Sequence, residues 1–110
     1  MIDWIRVAQL RDEIGADDFD EVADLFLLEV EETLDQLDSA QGDVVRMEEI
    51  LHFLKGSALN LGFAEFSAPC ATGEADASCG TLSVDPTQIK ALYAKSKRVF
   101  EAEYVRRFVA

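Results

Sequence analysis

An all-α fold is predicted for this chain, specifically an antiparallel four-helix bundle with an additional short N-terminal helix. Three observations predict it. Apolar residues recur at the three- and four-residue spacing that lines one face of a helix. The breaks between periodic stretches carry helix starters and stoppers, among them Asp3, Gly15, Asp18, Gly62 and the pair Asp85-Pro86. No strand alternation, internal repeat or low-complexity segment interrupts the pattern.

The first helix is predicted from Asp3 to Ile14. Asp3 supplies an N-cap, Ile2 and Val7 are spaced as a hydrophobic staple, and Gly15 ends the helix. Its apolar stripe is Trp4, Val7, Leu10 and Ile14. The second helix is expected over residues 18–40, with Asp18 and Glu21 at capping-box spacing. Phe19, Val22, Phe26, Val30, Thr33 and Leu37 form its expected core stripe. Leu25 and Leu28 widen that stripe, and the first helix is expected to cover some of the extra surface. The opposite face carries Glu29, Glu31, Glu32, Asp35 and Asp38, read as a solvated acidic face.

The chain breaks at Gln41-Gly42-Asp43, and a third helix is predicted over residues 43–62. The fourth, over residues 64–79, contains Pro69, which is expected to bend it or delay its start. Phe66, Cys70, Gly73 and Ala77 share a face, and their small members permit close packing. The fifth helix, over residues 85–108, opens with Asp85 as N-cap, Pro86 at the first helical position and Gln88 at the capping-box position. Ile89, Leu92, Tyr93, Ser96, Val99 and Phe100 face inward. Four long amphipathic helices with short connections make a bundle, and the first helix caps one end.

The third helix holds the only histidine of the chain, His52, in the stretch His52-Phe53-Leu54-Lys55-Gly56-Ser57-Ala58-Leu59-Asn60-Leu61-Gly62. At about 100° per residue, Val45, Gly56 and Leu59 fall within about 40° of His52, with Glu48 and Glu49 at the edge of that sector. Met47, Ile50, Leu54, Ala58 and Leu61 fall on the other side as an ordinary core stripe. His52 therefore points away from the core, with Lys55 and Gly56 one turn along. A mid-helix glycine costs roughly 1 kcal/mol relative to alanine, and packing does not require one on an exposed face. Close approach of another molecule beside the histidine is a reason to keep it.

Composition bounds the alternatives. A length of 110 residues suits one domain with one core, and 49% hydrophobic with 29% charged residues is globular and not disordered composition. The net charge of −12 arises from 22 acidic and 10 basic residues, which argues against nucleic acid and anionic membrane as partners. The charge is segregated. Arg46 is the only basic residue between Asp12 and Glu49, while Lys90, Lys95, Lys97, Arg98, Arg106 and Arg107 enrich the last helix. No apolar run approaches the ~18 residues of a membrane span, and Met1-Ile2-Asp3-Trp4 lacks the basic start of a secretory signal, so a cytoplasmic location is expected. Cys70 and Cys79 suit a reducing compartment. On one helix they lie about 13 Å apart on opposite faces, too far for a disulfide. With no Cys/His cluster, no metal site is expected.

The residues His52, Lys55, Gly56, Ser57, Ala58, Leu61 and Gly62 resemble the signature of histidine-containing phosphotransfer (HPt) domains, which runs roughly His-x-x-Lys-Gly-Ser-Ser/Ala-x-x-Leu-Gly. The similarity extends more loosely over residues 18–80, including the run Val22-Ala23-Asp24-Leu25-Phe26-Leu27. The resemblance implies a phosphorelay intermediate. His52 would accept a phosphoryl group through Nε2 from the aspartate of a receiver domain, or from a kinase, and pass it to another receiver. Lys55 would stabilise phosphate oxygens as a point charge. Val45, Glu48, Glu49, Gly56 and Leu59 would form the docking face. The implied partners are receiver domains of response regulators or hybrid histidine kinases. The chain binds no cofactor of its own in this reading, the receiver supplying an acidic pocket and Mg²⁺, and a monomer is expected. No Gly-rich nucleotide loop is present, so the chain reads as a relay and not a kinase. The alternatives are a non-phosphorylated helical interaction module and the phosphoacceptor domain of a chemotaxis-type histidine kinase.

Overall fold

The computed structural model describes residues 1–109, and among them every regular element is helical. Five α-helices follow one another: α1 (Trp4–Ile14), α2 (Ala16–Leu34), α3 (Val44–Leu61), α4 (Ala64–Ser78) and α5 (Pro86–Tyr104). A 3₁₀ turn, Asp38–Ala40, follows α2, and a π-helical turn, Val105–Val109, extends α5.

The ends of these helices show how the sequence sets them. The Asp3 carboxylate accepts the Arg6 amide at 3.1 Å, and Asp43 does the same for Arg46 at 3.1 Å. Asp85 accepts the amides of Thr87 and Gln88 at the start of α5. Gly15 closes α1 and opens α2 in one residue; its φ of 102° is open to glycine, and its carbonyl accepts the amides of Asp18 and Phe19. The expected Asp18–Glu21 capping box is therefore not formed. Asp17 and Asp18 lie in the first turn of α2 instead, where negative charge favours the helix N-terminus.

The second helix also stops early. It ends at Leu34, not Ala40, and the chain continues in turns that still bury Leu37 and Ala40. The Thr33 hydroxyl donates to the Glu29 carbonyl at 2.8 Å, a local bond that competes with the helical ladder just before the break. Its buried stripe is Phe19, Ala23, Leu27, Val30 and Leu34, rotated by about 60° from the expected one. Apolar residues occupy most of the circumference of α2, so periodicity alone leaves its rotation open. The observed rotation leaves Leu25 and Leu28 54% and 52% exposed, uncovered by α1.

Helix α3 lies at the centre, packed along α4 and flanked by α1 and α2. It buries Met47, Ile50, Leu54, Ala58 and Leu61 as expected, and Leu51 and Ser57 beside them. Each large apolar side chain in that row contributes about 1.5–3 kcal/mol by leaving water. Gly62 ends α3 in the left-handed conformation with φ 82°, and its carbonyl accepts the Asp3 amide at 2.7 Å. A side chain there would collide with the Asp3 backbone, so Gly62 ties the N-terminus to the α3–α4 turn. Helix α4 starts at Ala64 and passes through Pro69 without a delayed start. Gly73 lets Leu51 of α3 and Val84 close against the α4 backbone.

Helix α5 packs on α4. Toward α2 it carries paired groups in reverse chain order: Lys90 bonds Asp38, Lys97 bonds Glu31, and Tyr104 stacks on Phe19 at 5.2 Å. Glu31 is thus not merely solvated. It also accepts the Tyr93 hydroxyl at 2.7 Å, and Lys97 and Tyr93 together hold its carboxyl below the usual carboxylate range. Phe63, Phe66, Tyr93 and Phe100 form an aromatic core with ring centroids 5.3 to 6.2 Å apart.

Candidate functional site

Helix α3 places His52 near its middle, opposite its buried row, with 71% of the side chain exposed. The ring is hydrogen-bonded across to α4. Its Nδ1 lies 2.7 Å from Glu74 Oε2, a residue of α4. The other oxygen of the same carboxylate lies 2.6 Å from Lys55 Nζ. Glu74 is 17% exposed and sits one residue past Gly73, where α3 and α4 are in contact. Lys55, and then His52, hold its carboxyl below the ordinary value of 4.5 against the opposing effect of burial.

These contacts have a chemical consequence. An ionised carboxylate only accepts hydrogen bonds. Glu74 therefore favours the tautomer of the neutral ring with the proton on Nδ1, which leaves the lone pair on Nε2. Among the described residues, no group of His, Cys, Asp or Glu side chains is arranged to hold a metal ion. Cys70 is buried, Cys79 is exposed, and both are free thiols.

The other residues singled out in the sequence lie on the same side of α3. Val45 and Leu59 are 63% and 53% exposed, Glu49 is exposed and Glu48 half-buried. Gly56 is half-buried, and a Cβ added to it would meet no atom within 4 Å, so internal packing does not demand a glycine there. Lys55 is beside His52 as expected, but its ammonium rests on Glu74.

Sequence reasoning missed Glu74. The available signal was its place on α4 next to the small buried Gly73, but its relation to His52, 22 residues earlier in the chain, depends on how α4 is registered against α3. It also missed the exposure of Phe53 and of Leu25 and Leu28. Arg46 reaches Gln36 beyond the end of α2, which puts α2 on the Phe53 side of α3, while Lys55 and His52 face α4. Exposed apolar side chains thus run from Leu59 and Val45 on α3 through Phe53 toward Leu25 on α2.

The fold and this constellation define an all-helical protein that presents one oriented histidine on an open helix face. A model of the Hpt domain family matches residues 21–99, and the chain belongs to that family, the histidine-containing phosphotransfer domains of two-component signalling. The match contains α3, α4 and all of the site residues named above. Searches among curated proteins and among solved structures gave no match. No helix among the described residues is long and apolar enough to cross a membrane.

Proposed function

We propose that this protein is a phosphorelay intermediate with His52 as its phosphoacceptor. The observation that carries the reading is the 2.7 Å contact of His52 Nδ1 with Glu74, which in the neutral ring favours the tautomer with its lone pair on Nε2, beside a glycine with open space around it. In the forward step Nε2 attacks the phosphorus of a receiver aspartyl phosphate. The P–N bond forms, the P–O bond to aspartate breaks, and the aspartate leaves as a carboxylate. The proton on Nδ1 stays in place, and the Glu74 carboxylate offsets the positive charge that the ring acquires. The return step reverses each change, which is how one residue serves both donor and acceptor.

Phosphoryl transfer depends chiefly on positioning and charge. In this reading Lys55 leaves Glu74 for a phosphate oxygen once a phosphoryl group is on Nε2. Mg²⁺ belongs to the receiver in this scheme, and no residue set here is assigned to hold it. The receiver docks over Val45, Glu48, Glu49, Gly56 and Leu59, extended by Phe53, Leu25 and Leu28. Helices α2 to α5 act as a four-helix bundle that holds this face rigid, with α1 closing one end of a single cytoplasmic, monomeric domain.

The test is incubation with receiver domains from the same cell, phosphorylated with labelled acetyl phosphate, followed by tracking of the label. Acid-labile, base-stable label that moves onto this chain and off again to a second receiver supports the relay. Binding without any movement of label supports the interaction-module reading instead.

A further inference from the structure

The apolar part of the proposed docking face is ringed by carboxylates. On α2, Glu21, Glu29 and Glu32 are exposed and lie within about 60° of Leu25 or Leu28 around the helix. On α3, Glu49 is exposed between the His52 side and Phe53, and Glu48 lies on the other side of His52. Among the described residues none of these five acids forms an ion pair, whereas Glu31 and Asp38, turned toward α5, are both paired with lysines. The cations of the same region are two. Lys55 is held by Glu74, and Arg46, at the start of α3, is bonded to Gln36. Helix α2 contains no basic residue, so nothing on its own length offsets the ring.

An acceptor with this surface opposes its own substrate. The aspartyl phosphate of a receiver is anionic, and the five uncompensated carboxylates of this face, two of them flanking His52, repel it. Apolar contact through Leu25, Leu28, Phe53, Val45 and Leu59 brings the surfaces together without removing that repulsion. We propose that the receiver served by this protein carries lysine or arginine side chains around an apolar docking patch, placed to meet Glu29, Glu32 and Glu49. The inference rests on the relay reading and adds the charge of the partner. Complementary charge at the rim of a transient interface acts mainly on association, so it selects this receiver from others that share the same phosphoryl chemistry.

The experiment uses the purified receiver domains of the source organism, each phosphorylated with acetyl phosphate, and follows kcat/KM for transfer to the full chain as salt is raised. For the fastest receiver, kcat/KM should fall by about tenfold or more between about 50 and about 500 mM NaCl. Glu29→Lys with Glu32→Lys should slow the same transfer at low salt and flatten its salt dependence. A parallel reaction with phosphoramidate, a small donor that makes no docking contacts, should label His52 in the double variant as it does in the wild type, which shows the acceptor intact. Transfer from the fastest receiver that is insensitive to salt, or that quickens with it, overturns the inference and leaves the relay standing. Failure of every receiver to exchange phosphate, with His52 still labelled by phosphoramidate, overturns the relay reading and this inference together.

Discussion

Glu74 and Lys55 lie 2.6 Å apart between α3 and α4, and the same carboxylate holds His52 Nδ1 at 2.7 Å through its other oxygen. One residue of α4 thus orients both functional candidates of α3. Glu74→Gln keeps the shape but removes the charge that favours a proton on Nδ1. Phosphotransfer should fall by about tenfold or more, because the wrong tautomer hides the reactive lone pair. Imidazole ¹⁵N shifts should show a larger share of the Nε2-protonated form than in the wild type. Lys55→Ala should slow transfer several-fold while changing stability by no more than about 0.5 kcal/mol. A wild-type rate and wild-type ¹⁵N shifts in Glu74→Gln would contradict the orienting role.

The lowered carboxyls of Glu74 and Glu31 make stability depend on acid. A group whose folded value lies below its unfolded 4.5 stabilises the protein above 4.5, and that contribution is lost as the pH falls through the folded value. Glu31→Gln removes one such group. Urea midpoints measured at about pH 7 and about pH 3 should therefore differ less in Glu31→Gln than in the wild type. An equal drop in both proteins would show that the Tyr93–Glu31–Lys97 contacts do not favour the ionised carboxylate.

The two glycines within helices α3 and α4 should respond in opposite directions. A methyl group on Gly73 meets Leu51 and Val84, so Gly73→Ala should cost about 1–3 kcal/mol by overpacking. Thermal or urea unfolding reads this directly, and an unchanged midpoint would mean that α4 and the loop before α5 adjust freely.

Gly56 has open space around it. Gly56→Gln should hold or raise thermal stability through better helix propensity, yet it places a long side chain beside His52. Receiver binding should weaken and phosphotransfer slow. Wild-type transfer in this variant, or receiver-induced amide shifts confined to α4 and α5, would put the docking face elsewhere.

Much of this was legible in the sequence where one principle acts alone. Asp3 and Asp85 announce helix starts because a carboxylate satisfies amides that the helix leaves free. The apolar residues of α3 are confined to one side at Met47, Ile50, Leu54, Ala58 and Leu61, so the outward direction of His52 follows from counting. In α2 the apolar residues Val22, Leu25, Phe26, Leu27 and Leu28 span most of the circumference, and only its neighbours decide which are covered. The pull of Lys97 and Tyr93 on Glu31 accompanies a rotation that exposes Leu25 and Leu28. Glu74 was illegible for a related reason. Its place beside Gly73 hints only that it lies near a helix contact; the packing of α4 on α3 makes it a partner of His52.

The central claim is that His52 alone carries transferable phosphate, and His52→Gln tests it most directly. The side chain is exposed, so the variant should unfold at the wild-type temperature. Incubated with a labelled phospho-receiver that charges the wild type, it should take up no acid-labile, base-stable label. Acid-labile label retained on folded His52→Gln would contradict the account, because His52 is the only histidine in the chain.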